Sequence, residues 1–217
     1  TLEALVMGNV RDVVINTAWL GPHIEAACGS VLSIRQDDGS SRQAQLHYSH
    51  EGRDFGAALE TLGGICRALP LLSPDGHSPF WVVAGDVYCP EFKFEVTAVQ
   101  RLMASDCLAH VWLVPNPSHN PQGDFSITPD GMASNHVDSR CTFSTIALYR
   151  PQLFAPPHCA IANGNPTGER AALGPFLRRA IDLQLVSAQM YLGPWTDVGT
   201  PERLAQLNQP PTESTAS

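Results

Sequence analysis

Phe80-Trp81-Val82-Val83-Ala84-Gly85-Asp86-Val87-Tyr88 is the stretch on which the fold reading turns. Its first five residues are apolar without a break, and two of them are β-branched valines. A half-exposed strand alternates apolar and polar residues, so an unbroken run reads as a strand buried on both faces. The run stops at Gly85-Asp86. In open α/β sheets, ligands gather beyond the carboxyl ends of the strands. Gly85 allows close approach of backbone or ligand, and Asp86 is a natural ligand for Mg²⁺ already carrying phosphates. The same two residues also read as a plain Gly-Asp turn, and the segment alone favours the turn.

On the N-terminal side, Leu2, Leu5 and Val6 mark a helix that stops at Gly8-Asn9, followed by a strand over 11–16. A short helix over 21–29, extended stretches at 31–35 and 45–49, and a polar loop at 37–41 come next. Leu59, Leu62, Ile65, Cys66 and Leu69 recur at helical spacing over 57–69. Gly63-Gly64 inside that helix would cost roughly 1 kcal/mol each relative to alanine. That cost is tolerated where something must approach the backbone, or where the helix starts only after the pair. On the C-terminal side, a helix over 95–108 precedes a second unbroken apolar strand, His110 to Val114. Two strands, 124–127 and 141–149, bracket a turn at Asp130-Gly131 and suggest an antiparallel excursion beside the main sheet. A loop-rich stretch over 151–168, a helix over 173–183, an extended run over 186–192 and a compact turn over 194–200 follow. Thr200 and Pro201 open a last helix as N-cap and first residue. This alternation predicts α/β layering in one domain over 1–208, with a polar tail over 209–217.

The chain has 217 residues, 43% of them hydrophobic and 16% charged, with a formal net charge of −8. Lys93 is its one lysine; the other cations are arginines. General binding to nucleic acid backbones needs clustered positive charge, and this balance argues against it. A local nucleotide site stays open, since Mg²⁺ and backbone N–H groups can meet phosphate charge. The six cysteines show no C-x-x-C pair, which argues for buried free thiols in a reducing compartment. No run approaches the ~20 apolar residues of a membrane span. The expectation is a cytoplasmic protein without a membrane partner.

Four places could carry chemistry. Asp86 is the first and Asp197 the second: each sits at a strand end, where an α/β sheet gathers a site, and one Mg²⁺ held by one or two carboxylates plus substrate phosphates is the usual arrangement. An Asx-type turn cap is an equal reading of Asp197. Gly63-Gly64 is the third; two glycines at a helix start can admit a flat base or a phosphate, or simply pack. The fourth is Asn116 with Gly123-Asp124, amide and carboxylate groups at strand edges that suit sugar hydroxyls or, alternatively, turn chemistry. His119 lies in the same loop and could touch substrate. The loops 116–123 and 151–168 could close over a ligand.

Taken in order, Val14-Ile15-Asn16-Thr17-Ala18-Trp19-Leu20, Glu60-Thr61-Leu62-Gly63-Gly64-Ile65, Gly85-Asp86, Asn116-Pro117 through Gly123-Asp124-Phe125, Thr142-Phe143-Ser144 and Trp195-Thr196-Asp197-Val198-Gly199-Thr200-Pro201-Glu202-Arg203 resemble the sugar-1-phosphate nucleotidyltransferase family, in particular its uridylyltransferases of bacterial cell-wall recycling. The resemblance implies a Rossmann-like three-layer α/β/α fold with a mixed, mostly parallel sheet. It implies that Asp86 and Asp197 hold Mg²⁺, that the Gly63, Gly64 and Gly85 backbones meet the nucleotide, and that Asn116, Gly123, Asp124 and Thr142 line the sugar side. It further implies that a sugar 1-phosphate, of the N-acetylmuramate type, attacks UTP in line and expels pyrophosphate. A mannose-1-phosphate guanylyltransferase-like enzyme, or a regulatory module that kept the fold without catalysis, are the alternatives. Two features depart from the family pattern. The opening strand and glycine-rich loop with its Arg and Pro-Lys-Pro are not in this sequence, and Ala84 stands where Asn is frequent.

Overall fold

The computed structural model describes residues 1–136 and 139–208; the tail 209–217 of the sequence reading lies outside them. In chain order the elements are α1 (Leu2–Met7), β1 (Asp12–Thr17), α2 (Gly21–Cys28), β2 (Val31–Arg35), β3 (Ser41–His50), α3 (Glu51–Phe55), α4 (Glu60–Leu72), β4 (Phe80–Val83), β5 (Val87–Tyr88), α5 (Val96–Met103), β6 (Ala109–Val114), β7 (Ser126–Ile127), β8 (Ala133–Ser134), β9 (Thr142–Tyr149), α6 (Leu173–Asp182), β10 (Val186–Met190), β11 (Thr196–Asp197) and α7 (Pro201–Leu207).

The centre is a four-stranded sheet in the order β10-β6-β9-β4. Its residues alternate between two apolar cores, one on each face. Val111 and Leu113 of β6, with Ala147 and Tyr149 of β9, pack against Leu62, Ile65 and Leu69 of α4 and Phe176, Leu177 and Ile181 of α6. Trp112, Ile146 and Leu148 point the other way, to Leu5 and Val6 of α1 and Ala98 and Leu102 of α5. Burial on both faces is what makes the β6 sequence an unbroken apolar run. Helices cover both sides, so the expected three-layer α/β/α arrangement is present. Behind α5 an aromatic cluster closes the second core: Trp81 stacks edge-on against Phe94 at 5.1 Å, and Phe92 against Trp112 at 5.3 Å.

Two details of the sheet differ from expectation. Parallel pairs are β1–β3 and β10–β6, whereas β2–β3, β4–β9 and β6–β9 are antiparallel, so the sheets are mixed but not mostly parallel. The reason is β9, which runs against both of its neighbours. The 141–149 strand, expected in an excursion outside the main sheet, is therefore central to it; the excursion is the small β7–β8 hairpin. Second, β1, β3 and β2 form a separate sheet in the order β1-β3-β2. The free edges of β1 and β4 border a cavity of about 760 Å³, lined by Val13, Ile15, Ile65, Trp81 and Val83 among others. Trp81, Val82 and Val83 are accordingly only half-buried, not fully enclosed as the apolar run suggested.

The helix read over 57–69 is α4, which starts at Glu60 and contains both glycines. The 151–168 stretch, read as loop-rich, packs Leu153, Phe154, Cys159 and Ile161 into the first core. Asn165 is fully buried there. Its side-chain amide donates to the Gly63 and Glu169 carbonyls at 3.1 and 2.8 Å, and its Oδ1 accepts the Glu169 amide at 2.8 Å.

Candidate active site

Beyond the end of β4 the chain turns through Ala84-Gly85-Asp86-Val87, closed by the Val87 amide donating to the Ala84 carbonyl at 3.3 Å. The plain turn reading of Gly85-Asp86 is thus correct as geometry. What gives the turn a further role is what lies beside it. β5 pairs antiparallel with β11, with Asp197 opposite Val87, and the Val198 amide donates to the Asp86 carbonyl at 2.7 Å. Residues 111 positions apart in sequence are thereby locked side by side. A side chain built at Gly85 would point into open space, with no atom of the described residues other than its chain neighbours within 4 Å, so the turn is approachable from that side.

The two carboxylates differ in their surroundings. Asp197 Oδ1 accepts from Arg203 Nη1, and Oδ2 lies 3.1 Å from His119 Nε2. His119 Nε2 is also 3.1 Å from Arg203 Nη1. That nitrogen carries either a hydrogen or a lone pair, so at any instant it donates to Asp197 or accepts from Arg203. Asp86 makes no side-chain ion pair among the described residues. A point beside Gly199 lies 3.2 Å from Asp86 Oδ2 and 3.5 Å from Arg203 Nη2, so guanidinium and carboxylate both lie next to that glycine. Arg203 is placed by α7, whose start is capped as expected: the Arg203 amide donates to Thr200 Oγ1 at 3.3 Å. Trp195, just before Asp197, is fixed by its indole N–H donating to the Ser144 carbonyl at 3.1 Å.

His119 is delivered by the loop after β6, and the residues that hold this loop are those singled out for the sugar side. Asn116 Oδ1 accepts from Thr142 Oγ1 at 2.9 Å, while its amide donates to the Arg140 and Pro121 carbonyls at 2.9 and 3.2 Å. Asn120 donates to Asp124 Oδ2 at 3.1 Å and to Thr142 Oγ1 at 3.2 Å, and the Phe143 amide donates to Asp124 Oδ2 at 2.9 Å. Gly123 has φ +62, and a methyl there would come within 2.8 Å of Asn116 Oδ1 and the Arg140 carbonyl. Asn116, Gly123, Asp124 and Thr142 are therefore brought together, and much of their hydrogen-bonding capacity is spent on one another.

The donor chemistry suits a small hard cation. Asp86 and Asp197 are the oxygen donors available to such an ion, and among the described residues no group of three or more His, Cys, Asp and Glu is gathered for a metal. Mg²⁺ is commonly bound in this way, by one or two carboxylates, with the remaining positions left to water and substrate phosphates.

A search against protein-family models gives no match. A curated protein, the N-acetylmuramate alpha-1-phosphate uridylyltransferase of Neisseria meningitidis serogroup B (strain ATCC BAA-335 / MC58), is 40% identical over 207 residues, which cover 93% of this chain and 79% of that protein. The chain belongs to the sugar-1-phosphate nucleotidyltransferase family. It is an enzyme of the nucleotidyltransferase class. Solved structures agree on the fold. A protein from Bacillus anthracis provisionally assigned as a glucose-1-phosphate thymidylyltransferase, in complex with a sucrose, superimposes with a TM-score of 0.69 at 15% identity, covering 95% of this chain and 78% of its own. HddC from Yersinia pseudotuberculosis, also solved with GMP-PN, does so with a TM-score of 0.62 at 16% identity, covering 94% of this chain and 80% of its own.

In this nucleotidyltransferase the glycine pair of α4 is occupied by the chain itself. A methyl at Gly63 would overlap the Glu169 carbonyl oxygen, and one at Gly64 would press on Glu51 Oε1 and Asn16 Nδ2. The groups approaching these two backbones are protein atoms, so close packing accounts for both glycines. Glu51 is buried, and its Oε2 accepts the Leu59 amide at 2.7 Å. Burial pushes its carboxyl above the usual range, against the pull of that amide. Asn16, Glu51, Asn120 and Arg203 make these contacts but were not singled out by the sequence reading. Only the spacing Thr200-Pro201-x-Arg203, which puts an arginine in the first turn of a capped helix directly after Asp197, carried a signal.

Proposed function

We propose that this nucleotidyltransferase transfers UMP from UTP to N-acetylmuramate 1-phosphate, with Mg²⁺, releasing pyrophosphate, and that it works in the cytoplasm in cell-wall recycling. The observation that carries the substrate pair is the 40% identity, across nearly the whole chain, to a protein named for that reaction. The geometry supports the reaction class. The β5–β11 ladder brings the backbones of Asp86 and Asp197 next to each other beside an approachable turn, which supports the reading that these two residues would hold the cation. When bound, Mg²⁺ supplies charge neutralisation for the triphosphate, which lowers the barrier to attack on the α-phosphate. The protein's share is positioning. Gly85 leaves room for the nucleotide, and the Asn116–Gly123 loop, with Asp124 and Thr142, shapes the sugar side. The Gly63–Gly64 segment would contribute to the base side through the shape of α4, since both glycines are already packed. An oxygen of the sugar phosphate attacks the α-phosphorus as the bond to the pyrophosphate oxygen breaks, so no covalent enzyme intermediate is needed.

The test is pyrophosphate release by the purified protein with UTP, N-acetylmuramate 1-phosphate and Mg²⁺, beside GTP with mannose 1-phosphate. Release with the first pair is expected, and Asp86→Ala or Asp197→Ala should lower kcat at least about 100-fold without shifting the thermal midpoint. Release with the second pair alone would overturn the substrate assignment. Near-normal rates in both variants would overturn the metal assignment.

A further inference from the structure

We propose that Arg203 is a latch on the metal site: its guanidinium is an internal cation that holds Asp197 until a divalent metal displaces it. The proposal rests on the reading of Asp86 and Asp197 as metal ligands. Its basis is the set of contacts at Asp197. Both carboxylate oxygens are engaged, Oδ1 by Arg203 Nη1 and Oδ2 by His119 Nε2 at 3.1 Å. Each oxygen keeps a lone pair beyond these contacts, so the conflict with a metal ion is one of charge: a guanidinium held on Asp197 places a positive charge beside any cation bound to the same carboxylate. Of the two, Arg203 carries the fixed charge. An arginine does not deprotonate in proteins, so the competition with a metal is between two cations and cannot be relieved by losing a proton.

The position of the guanidinium sharpens this. Arg203 Nη2 and Asp86 Oδ2 lie 3.5 and 3.2 Å from the same point beside Gly199, so the guanidinium that holds Asp197 also lies near the Asp86 carboxylate. In chemical terms it balances the negative charge that a divalent ion would otherwise balance. The contact is also built to open. The side chains of Arg203 and Asp197 are roughly a quarter exposed, at 27% and 26%. The anchor of the arginine is its backbone, through Thr200 Oγ1, so the side chain can swing while α7 stays in place. Once released, a planar fork next to the site is suited to a phosphate oxygen.

A merely structural arginine and a latch make opposite predictions for metal affinity, because removing a structural group loosens the ligands whereas removing a competing cation tightens binding. The experiment is titration of the whole chain with Mn²⁺ alone, without nucleotide, followed by the free-ion spin-resonance signal. Wild type, Arg203→Gln, Arg203→Lys, Asp86→Asn and Asp197→Asn are compared, each with a thermal unfolding curve. Arg203→Gln is expected to bind Mn²⁺ about tenfold more tightly than wild type, with Arg203→Lys in between, because the charge stays but the fork is lost. Equal or weaker binding by Arg203→Gln, while Asp86→Asn and Asp197→Asn still lose Mn²⁺, overturns the latch and leaves the metal site standing. If neither aspartate variant changes Mn²⁺ binding, the metal-site reading fails and the latch fails with it. Should Arg203→Gln not fold, the ordering of Arg203→Lys against wild type decides.

Discussion

Gly199 carries no side chain, and the space a methyl would fill is bounded by Asp86 Oδ2 at 3.2 Å and Arg203 Nη2 at 3.5 Å. Its backbone is not left-handed, so the only demand on this residue is room. Gly199→Ala would push the Asp86 carboxylate by a few tenths of an ångström, and small misplacements of reacting groups are costly to rate. We expect kcat for pyrophosphate release to fall about tenfold while the thermal midpoint stays near that of wild type, because the neighbours are ends of flexible side chains at a half-open site. A wild-type rate would show that Asp86 is free to relocate. Gly123 is the contrasting case. Its φ of +62 and the 2.8 Å approach to the Arg140 backbone make it a residue of the loop's architecture, and a substitution there would be felt first in folding.

At the scale of elements, α4 shows why a pattern can be right and its explanation incomplete. Helical spacing located it, and Gly63-Gly64 signalled that something comes close to its backbone. The sequence could not say that this something is the Glu169 carbonyl, over a hundred residues away and pinned by Asn165. A methyl at Gly63 meets pinned backbone that cannot move aside, so overpacking of about 1–3 kcal/mol outweighs the roughly 1 kcal/mol gained in helix propensity. Gly63→Ala should therefore be destabilised by up to about 2 kcal/mol, lowering the thermal midpoint by up to about 8 °C in calorimetry; a raised midpoint would mean the 165–171 segment yields. The same limit explains the other gains and misses. Strand β6 was legible because burial on two faces leaves an unbroken apolar run, β4 because its apolar run marks a strand even though it is only half-buried, and α7 because Thr200-Pro201 is a local signal. The placement of β9 was not, since strand neighbours are set by pairings between distant residues. The aspartate pair was legible at each strand end but not as a pair held by the β5–β11 ladder. His119 was singled out only as a residue near the substrate loop, and its meeting with Arg203 at Asp197 was not legible, because a guanidinium and an imidazole come together there only through the folding of two separate segments.

For the molecule as a whole, stability should depend on pH through a residue at the heart of the central sheet. His110 lies on β6, opposite Ser187 of β10 in the parallel ladder, with Nδ1 2.8 Å from Ser187 Oγ and its ring edge-on to Trp112 at a centroid distance of 4.4 Å. Burial, with a smaller push from Arg101, brings its pKa down to about 4 from an ordinary value of 6.5. Between those two values the unfolded chain binds a proton at this position and the folded chain does not, so the free energy of unfolding rises with pH across that window. Above pH 6.5 the contribution is fully present; it is lost progressively as pH falls toward 4, and below that both states are protonated and the slope vanishes. A difference of about 2.5 pH units corresponds to about 3 kcal/mol, a substantial part of the 5–15 kcal/mol that typically separates folded from unfolded protein. Denaturant unfolding at a series of pH values should show this loss, and His110→Gln, which can still bond Ser187, should be less steep between pH 4 and 6.5 even if weaker at pH 8. An unchanged slope in that variant would place the acid sensitivity elsewhere, with the carboxylates that carry the chain's net negative charge.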